Sequence, residues 1–276
     1  MIHPLDVLSY LLIAVGFGLV AVVLALGRAY WWFEAPWLGV CLAIGIVAVV
    51  AAAIVELNRE EPFIDIRWLT SPEVLHFTGA LLVFRIVLSE QTSGASGLFQ
   101  ALGLLNEQTT TLYAAIIAAH VLGGIACAFL MGPGREPKIH VLALLLLLAG
   151  ALMDSQATSL TRPEQMLVSQ GLIALAGALF LPPALYSGLM SALKKGPNYI
   201  LSFIIIFLTT QSLGGLLGSA LLGSFVTLRE KFHSSHLVEH VVMTDPVVAQ
   251  RIAQYGHVYD RVLTERTLAN AEGLVL

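Results

Sequence analysis

Apolar residues gather into seven runs of bilayer-crossing length, and polar residues collect in the short breaks between them. A helix needs roughly 20 apolar residues to span about 30 Å of hydrocarbon. On that measure the spans are about Val7–Leu26, Trp37–Val55, Val74–Leu98, Thr110–Met131, Ile139–Ala157, Met166–Leu193 and Tyr199–Leu228. The runs are too long for strands, and an open sheet edge leaves backbone groups unsatisfied in lipid. Beyond Leu228 the pattern changes. Asp245-Pro246 pairs an N-cap with a proline at the first helical position. Val247, Val248, Ile252, Tyr255, Val258, Tyr259 and Val262 then recur every three or four residues, the period of an amphipathic surface helix. The pattern predicts an all-α membrane protein: two spans in 1–56, five in 57–228 and a helical tail in 229–276.

Composition agrees. Hydrophobic residues make up 57% of the 276, charged residues 12%, and mean hydropathy is +0.84. A water-soluble domain carries about 25% charged residues, so the bilayer must act as solvent here. The net charge is only −4 with Lys and Arg scattered, which argues against a nucleic-acid partner. Cys41 and Cys127 both fall inside apolar runs and read as packing residues. The start, Met1-Ile2-His3-Pro4-Leu5-Asp6, lacks the basic region of a cleavable signal.

Loop charge sets the orientation. With the N-terminus inside, inner loops carry Arg59, Arg67, Arg135, Lys138, Lys194 and Lys195, and short outer loops carry Arg28 and Arg162. The expectation is a cytoplasmic N-terminus and a periplasmic tail. Trp31, Trp32, Phe33 and Trp37 form an aromatic belt at the outer interface, with Trp68 and Tyr199 as inner anchors.

Arg85, Glu90 and Asp154 are ionisable groups inside apolar runs, each costing about 2.5–3.5 kcal/mol at a helix centre. Ser89, Gln91, Thr92 and Ser93 surround the first two, so this belt must face a bundle interior or a wet cavity. Two readings stand: a substrate or proton path, with Glu90 as the protonatable group tuned by Arg85, or an internal ion pair or side chains snorkelling to a nearby interface. Gln91 and Asp154 join the path as candidates. Gly214 and Gly218 are four apart, as are Gly215, Ser219 and Gly223, a spacing that lets helix backbones approach closely. Pro182-Pro183 should kink the sixth span by removing two donors.

Enzyme chemistry has two weak signals. Gly94-Ala95-Ser96-Gly97 and Ala119-His120-Val121-Leu122-Gly123-Gly124 are similar to the serine and histidine segments of rhomboid proteases. His120 sits about 15 Å deep at 1.5 Å rise per residue, whereas Ser96 is near an outer end, too far apart for a dyad within hydrogen-bond reach. His233, His236 and His240, with Glu239, share one helical face that could take zinc. No H-E-x-x-H motif, nucleotide loop or dinucleotide fingerprint is present. No catalytic residue, metal or cofactor is expected.

Several stretches carry a family likeness: His3-Pro4-Leu5-Asp6 with Gly27-Arg28-Ala29-Tyr30-Trp31-Trp32-Phe33, the segment from Glu56 through Pro62, Ile64 and Asp65 to Ser71, Leu181-Pro182 with Gly188-Leu189, and Leu213-Gly214-Gly215-Leu216-Leu217-Gly218 through Arg229, Glu230, His233, Leu237 and Glu239. The chain resembles the C-terminal half of the fourteen-helix drug:proton antiporters of the major facilitator superfamily, the EmrB/QacA-like group. The resemblance implies helices seven to thirteen, with 1–56 as the two linker helices and 57–228 as part of the C-terminal transporter domain. It implies proton-driven export of small hydrophobic compounds from the bacterial inner membrane, alongside an N-terminal half, a periplasmic adaptor and an outer-membrane channel. The family's first six helices, with their usual acidic proton site, and its last helix have no counterpart here, and relatives often carry a basic residue at Gln211. The expectation is therefore a truncated antiporter, inactive alone. The alternatives are a non-transporting subunit or scaffold that pairs with a separate N-terminal half and, further off, the rhomboid-like intramembrane serine protease.

Overall fold

The computed structural model describes residues 4–60, 62–239, 246, 249 and 250. All regular structure among them is helical, and seven helices are long and apolar enough to cross a membrane. They are α1 (Pro4–Leu26), α2 (Pro36–Leu57), a third span of α4 (Pro72–Leu88) and α5 (Ser96–Ala101), α6 (Thr110–Leu130), α7 (Glu136–Asp154), α8 (Leu167–Lys195) and α9 (Asn198–Glu239). A short α3 (Ile66–Leu69) precedes the third span, capped by Asp65, whose carboxylate accepts from the Trp68 N–H at 2.8 Å.

Most helices begin a few residues before the apolar runs. Pro36, Pro72 and Pro137 lie in the first turns of α2, α4 and α7, where a missing N–H costs nothing. Pro163 likewise opens the 3₁₀ turn that leads into α8. α7 ends at Asp154, short of the expected Ala157. α9 continues past Leu228 without a break to Glu239, so the polar segment from Arg229 extends the last span. Pro182 and Pro183 lie inside an unbroken α8, where the Ser187 hydroxyl donates to the Pro183 carbonyl at 2.8 Å.

The chain packs as two units, Met1–Leu222 and Gly223–Leu276. In the first, α8 is the centre. Half of its most apolar stretch is buried, against 17–28% in the other spans, whose outer faces are free for lipid. Phe84 of α4 stacks on Phe180 of α8 with ring centres 3.7 Å apart, and Leu81, Leu88, Ile139, Leu147 and Ile173 complete that core. Trp68 is buried, edge-on to Tyr199 at 5.4 Å, in a second cluster with Val74, Ala192 and Phe203. Its ring is thus a packing element, which corrects the expected interface anchor. α1 and α2 pair along their lengths. At their shared end the fully buried Ser9 hydroxyl donates to Glu56, Arg59 Nη1 reaches the same oxygen at 3.1 Å, and Arg59 Nη2 holds Asp6 at 2.5 Å. The Ile64 N–H donates to the second Glu56 oxygen at 3.1 Å, tying this pair to the loop before α3.

In the second unit the described helix carries Arg229 and His233, bonded at 3.1 Å, with Phe232 edge-on to His233 and His236. The Asp245 cap, His240, the Glu239 side chain and the amphipathic stretch, apart from Ala249 and Gln250, lie outside the described residues.

Candidate functional site

The third span does not run as one α-helix. Just after Glu90 it widens into a π-turn, Gln91–Ala95, before α5 resumes. The local sequence explains the break. Ser89 and Thr92 turn their hydroxyls back onto the carbonyls of Ile86 and Ser89, at 2.5 and 3.0 Å, competing with the backbone ladder. The Ser96 hydroxyl donates to the Gln91 carbonyl at 3.2 Å, across the wide turn. Such bulges concentrate at functional sites.

The turn makes room for Glu90. A Cβ at Gly94 would sit 2.9 Å from Glu90 Oε1 and 3.2 Å from its Cγ, so glycine there lets the carboxylate fold beside its own helix. Facing it is Gln170, fully buried near the start of α8. Its Nε2 donates to Glu90 Oε2 at 3.3 Å and to Asp154 Oδ2 at 2.6 Å. Ser169 donates its hydroxyl to the other Asp154 oxygen. Gln91 closes the group, donating to the Gln170 carbonyl at 3.2 Å.

Asp154 reaches this point because α7 and α8 touch closely one turn earlier. A Cβ on Gly150 would lie 2.6 Å from Ile173 Cγ1 and 2.7 Å from the Ser169 carbonyl. Two carboxylates from different spans thus share the two N–H donors of one amide. The amide oxygen, Gln170 Oε1, is buried with no partner.

Arg85 is not part of this group. Its Nε donates to the Gln211 carbonyl on α9 at 3.2 Å, and the ion pairs among the described residues are Arg59–Asp6 and Arg59–Glu56. The expected Arg85–Glu90 pairing is therefore replaced by a contact with α9. Five residues separate the two along the span, enough to turn them onto different faces. The glycine stripe is where Arg85 fits. Cβ atoms at Gly214 and Gly215 would meet its side chain at 3.0 and 2.9 Å, and one at Gly218 would meet the Ile86 carbonyl at 2.6 Å. Ser93 and Ser219 add a hydroxyl pair at 2.8 Å along the same seam.

Ser96 accepts from the Tyr113 hydroxyl at 3.2 Å, while His120 Nδ1 lies 3.0 Å from the Ile116 carbonyl. No hydrogen bond joins Ser96 to His120 among the described residues. Those residues also hold no group of three metal-ligating side chains. At the other ends of α4, α7 and α8 a cleft of about 680 Å³ opens among Glu73, Glu136, Tyr186, Met190, Lys194 and Lys195, within the usual size of small-molecule sites, about 300–1,000 Å³.

Sequence reasoning named Glu90, Gln91 and Asp154 but missed Ser169 and Gln170. The signal was present: a polar pair early in an otherwise apolar run, one short hairpin after Asp154. No family model, curated protein or solved structure matches this chain. The functional reading therefore rests on these residues.

Proposed function

We propose that the chain is part of a proton-coupled efflux transporter that exports hydrophobic compounds across a bacterial inner membrane. One observation carries the reading: Glu90 and Asp154, on different spans, meet at the buried amide of Gln170. Intramembrane carboxylates are expensive and mark ion or proton paths. A pair held together across helices can change charge as the helices move, which is what coupling requires. The likeness to the fourteen-helix drug:proton antiporters supports the same reading. So does the open cleft at the opposite helix ends, sized for a drug-like molecule.

In the proposed topology the N-terminus is cytoplasmic and the tail periplasmic, so the cleft faces the cytoplasm and the carboxylate pair sits toward the periplasmic side. Transporters of this kind rock one half against the other about a midplane site. These seven spans supply one wall of such a path, and a six-helix half supplies the other. An adaptor and an outer-membrane channel would carry the compound onward.

The test is tolerance of hydrophobic cationic dyes. Cells producing the chain together with a six-helix antiporter half should survive higher dye concentrations than cells with either piece alone. Glu90→Gln or Asp154→Asn should erase the gain. Equal tolerance in wild type and both variants, at equal membrane levels, contradicts the reading.

A further inference from the structure

We propose that Glu90 and Asp154 form a single-cation site that takes up one proton for two carboxylates, with Gln170 as the positioning residue that makes them one unit. The inference rests on the transport reading for its purpose and on the amide geometry for its chemistry.

Both carboxylates bond the same Nε2, so the bonded oxygens lie no more than about 6 Å apart, where two negative charges repel strongly in an apolar surrounding. Among the described residues no salt bridge reaches either carboxylate, and Arg162, in the loop before α8, donates to the Ser159 and Thr161 carbonyls. Arg85, on the same span, is turned to Gln211. α8 carries no titratable side chain between Leu167 and Leu185, and α9 carries none between Ile200 and Leu228. On α7 the other titratable side chain away from the first turn is His140, far down the helix beside Phe180. From α6 come Tyr113, bonded to Ser96, and the exposed His120, at Ile116.

The amide supplies the rest of the argument. With both carboxylates ionised, its two N–H groups are used and Oε1 is left without a donor, in a residue of zero exposure. An orphaned buried acceptor is costly, because it has given up its water without gaining a donor. One added proton removes the mismatch. The new carboxyl O–H donates to Oε1, and Nε2 still donates to the remaining carboxylate. The proton comes from water, and the pair passes from two negative charges to one. A second proton would bring no further donor–acceptor match. Gln170 thus favours the singly protonated pair over both alternatives, and the two acids titrate as a unit.

Infrared difference spectroscopy on the whole chain in lipid nanodiscs tests this, with acid added across the range where carboxyls titrate. The wild type should gain one protonated-carboxyl band and take up one proton more than the E90Q/D154N double variant. Either single substitution should move the band to lower pH, because the remaining carboxylate no longer has a charged neighbour. Gln170→Leu should keep the helical amide spectrum, shift the carboxyl band and split the uptake into two independent steps. Single variants that each remove half of a two-proton signal would overturn the inference, as would a Gln170→Leu spectrum identical to wild type. Independent bands with dye tolerance still lost in E90Q would sink this inference and leave the transport reading intact. A shared band with unaffected dye tolerance would do the reverse.

Discussion

Glu90 keeps its carboxylate beside its own backbone because position 94 is glycine. A methyl there would press on Oε1 at 2.9 Å, whereas a Cβ at Gly97, one turn on, meets nothing within 4 Å. Gly94→Ala is therefore expected to push Glu90 away from Gln170 and cut dye export by about tenfold or more, as misplaced reacting groups do. Gly97→Ala should leave export unchanged, and transport assays on the two variants side by side decide it. Glu56 makes a second, structural demand. It accepts from Ser9, Arg59 and the Ile64 N–H while 2% exposed. Glu56→Ala strands those donors and should lower stability by about 1–3 kcal/mol, read by thermal unfolding in detergent. Glu60→Ala, on an exposed side chain, should shift the transition by less than about 0.5 kcal/mol. Glu90 and Asp154 stood out in the sequence because a charge in an apolar run has a known cost. Gln170 did not, because an uncharged amide in a run that also holds Ser169 carries no such flag. Glu56 was hidden by lying at a run's end, where a carboxylate reads as solvated.

Helix contacts decide whether those residues meet. α7 delivers Asp154 only through the close approach at Gly150, where a larger side chain collides with Ile173 and the Ser169 carbonyl. Gly150→Leu should force the helices apart, costing about 1–3 kcal/mol by overpacking and breaking the Asp154–Gln170 bond. Gly124→Leu is the control, since a Cβ there meets nothing within 4 Å. Thermal unfolding of both variants, with the infrared carboxyl band as the second readout, checks the claim. The seven spans were legible from run length alone, and their proline starts were written in the sequence. The π-turn was not, because no apolar period marks it. Its causes are the back-bonding hydroxyls of Ser89 and Thr92 and the space at Gly94. Nor was the partner of Arg85 readable, since residues five apart on one span look adjacent in sequence yet face different helices.

At the scale of the whole molecule, α8 is the buried centre on which α4, α6 and α7 pack. Near one end its Gln170 holds the carboxylate pair, and its other end lines the cleft with Lys194 and Lys195. A movement of α8 is thus felt at both places, which is how a proton taken up at one end would open or close a path at the other. The central claim is that protonation of this pair drives export. Everted vesicles carrying the chain with a six-helix antiporter half, energised by an inward-acid pH gradient, measure it most directly through the gradient lost when a hydrophobic cationic dye is added. Dye should dissipate the gradient in the wild type and leave it intact in Asp154→Asn and Glu90→Gln. Equal dissipation in all three would contradict the account.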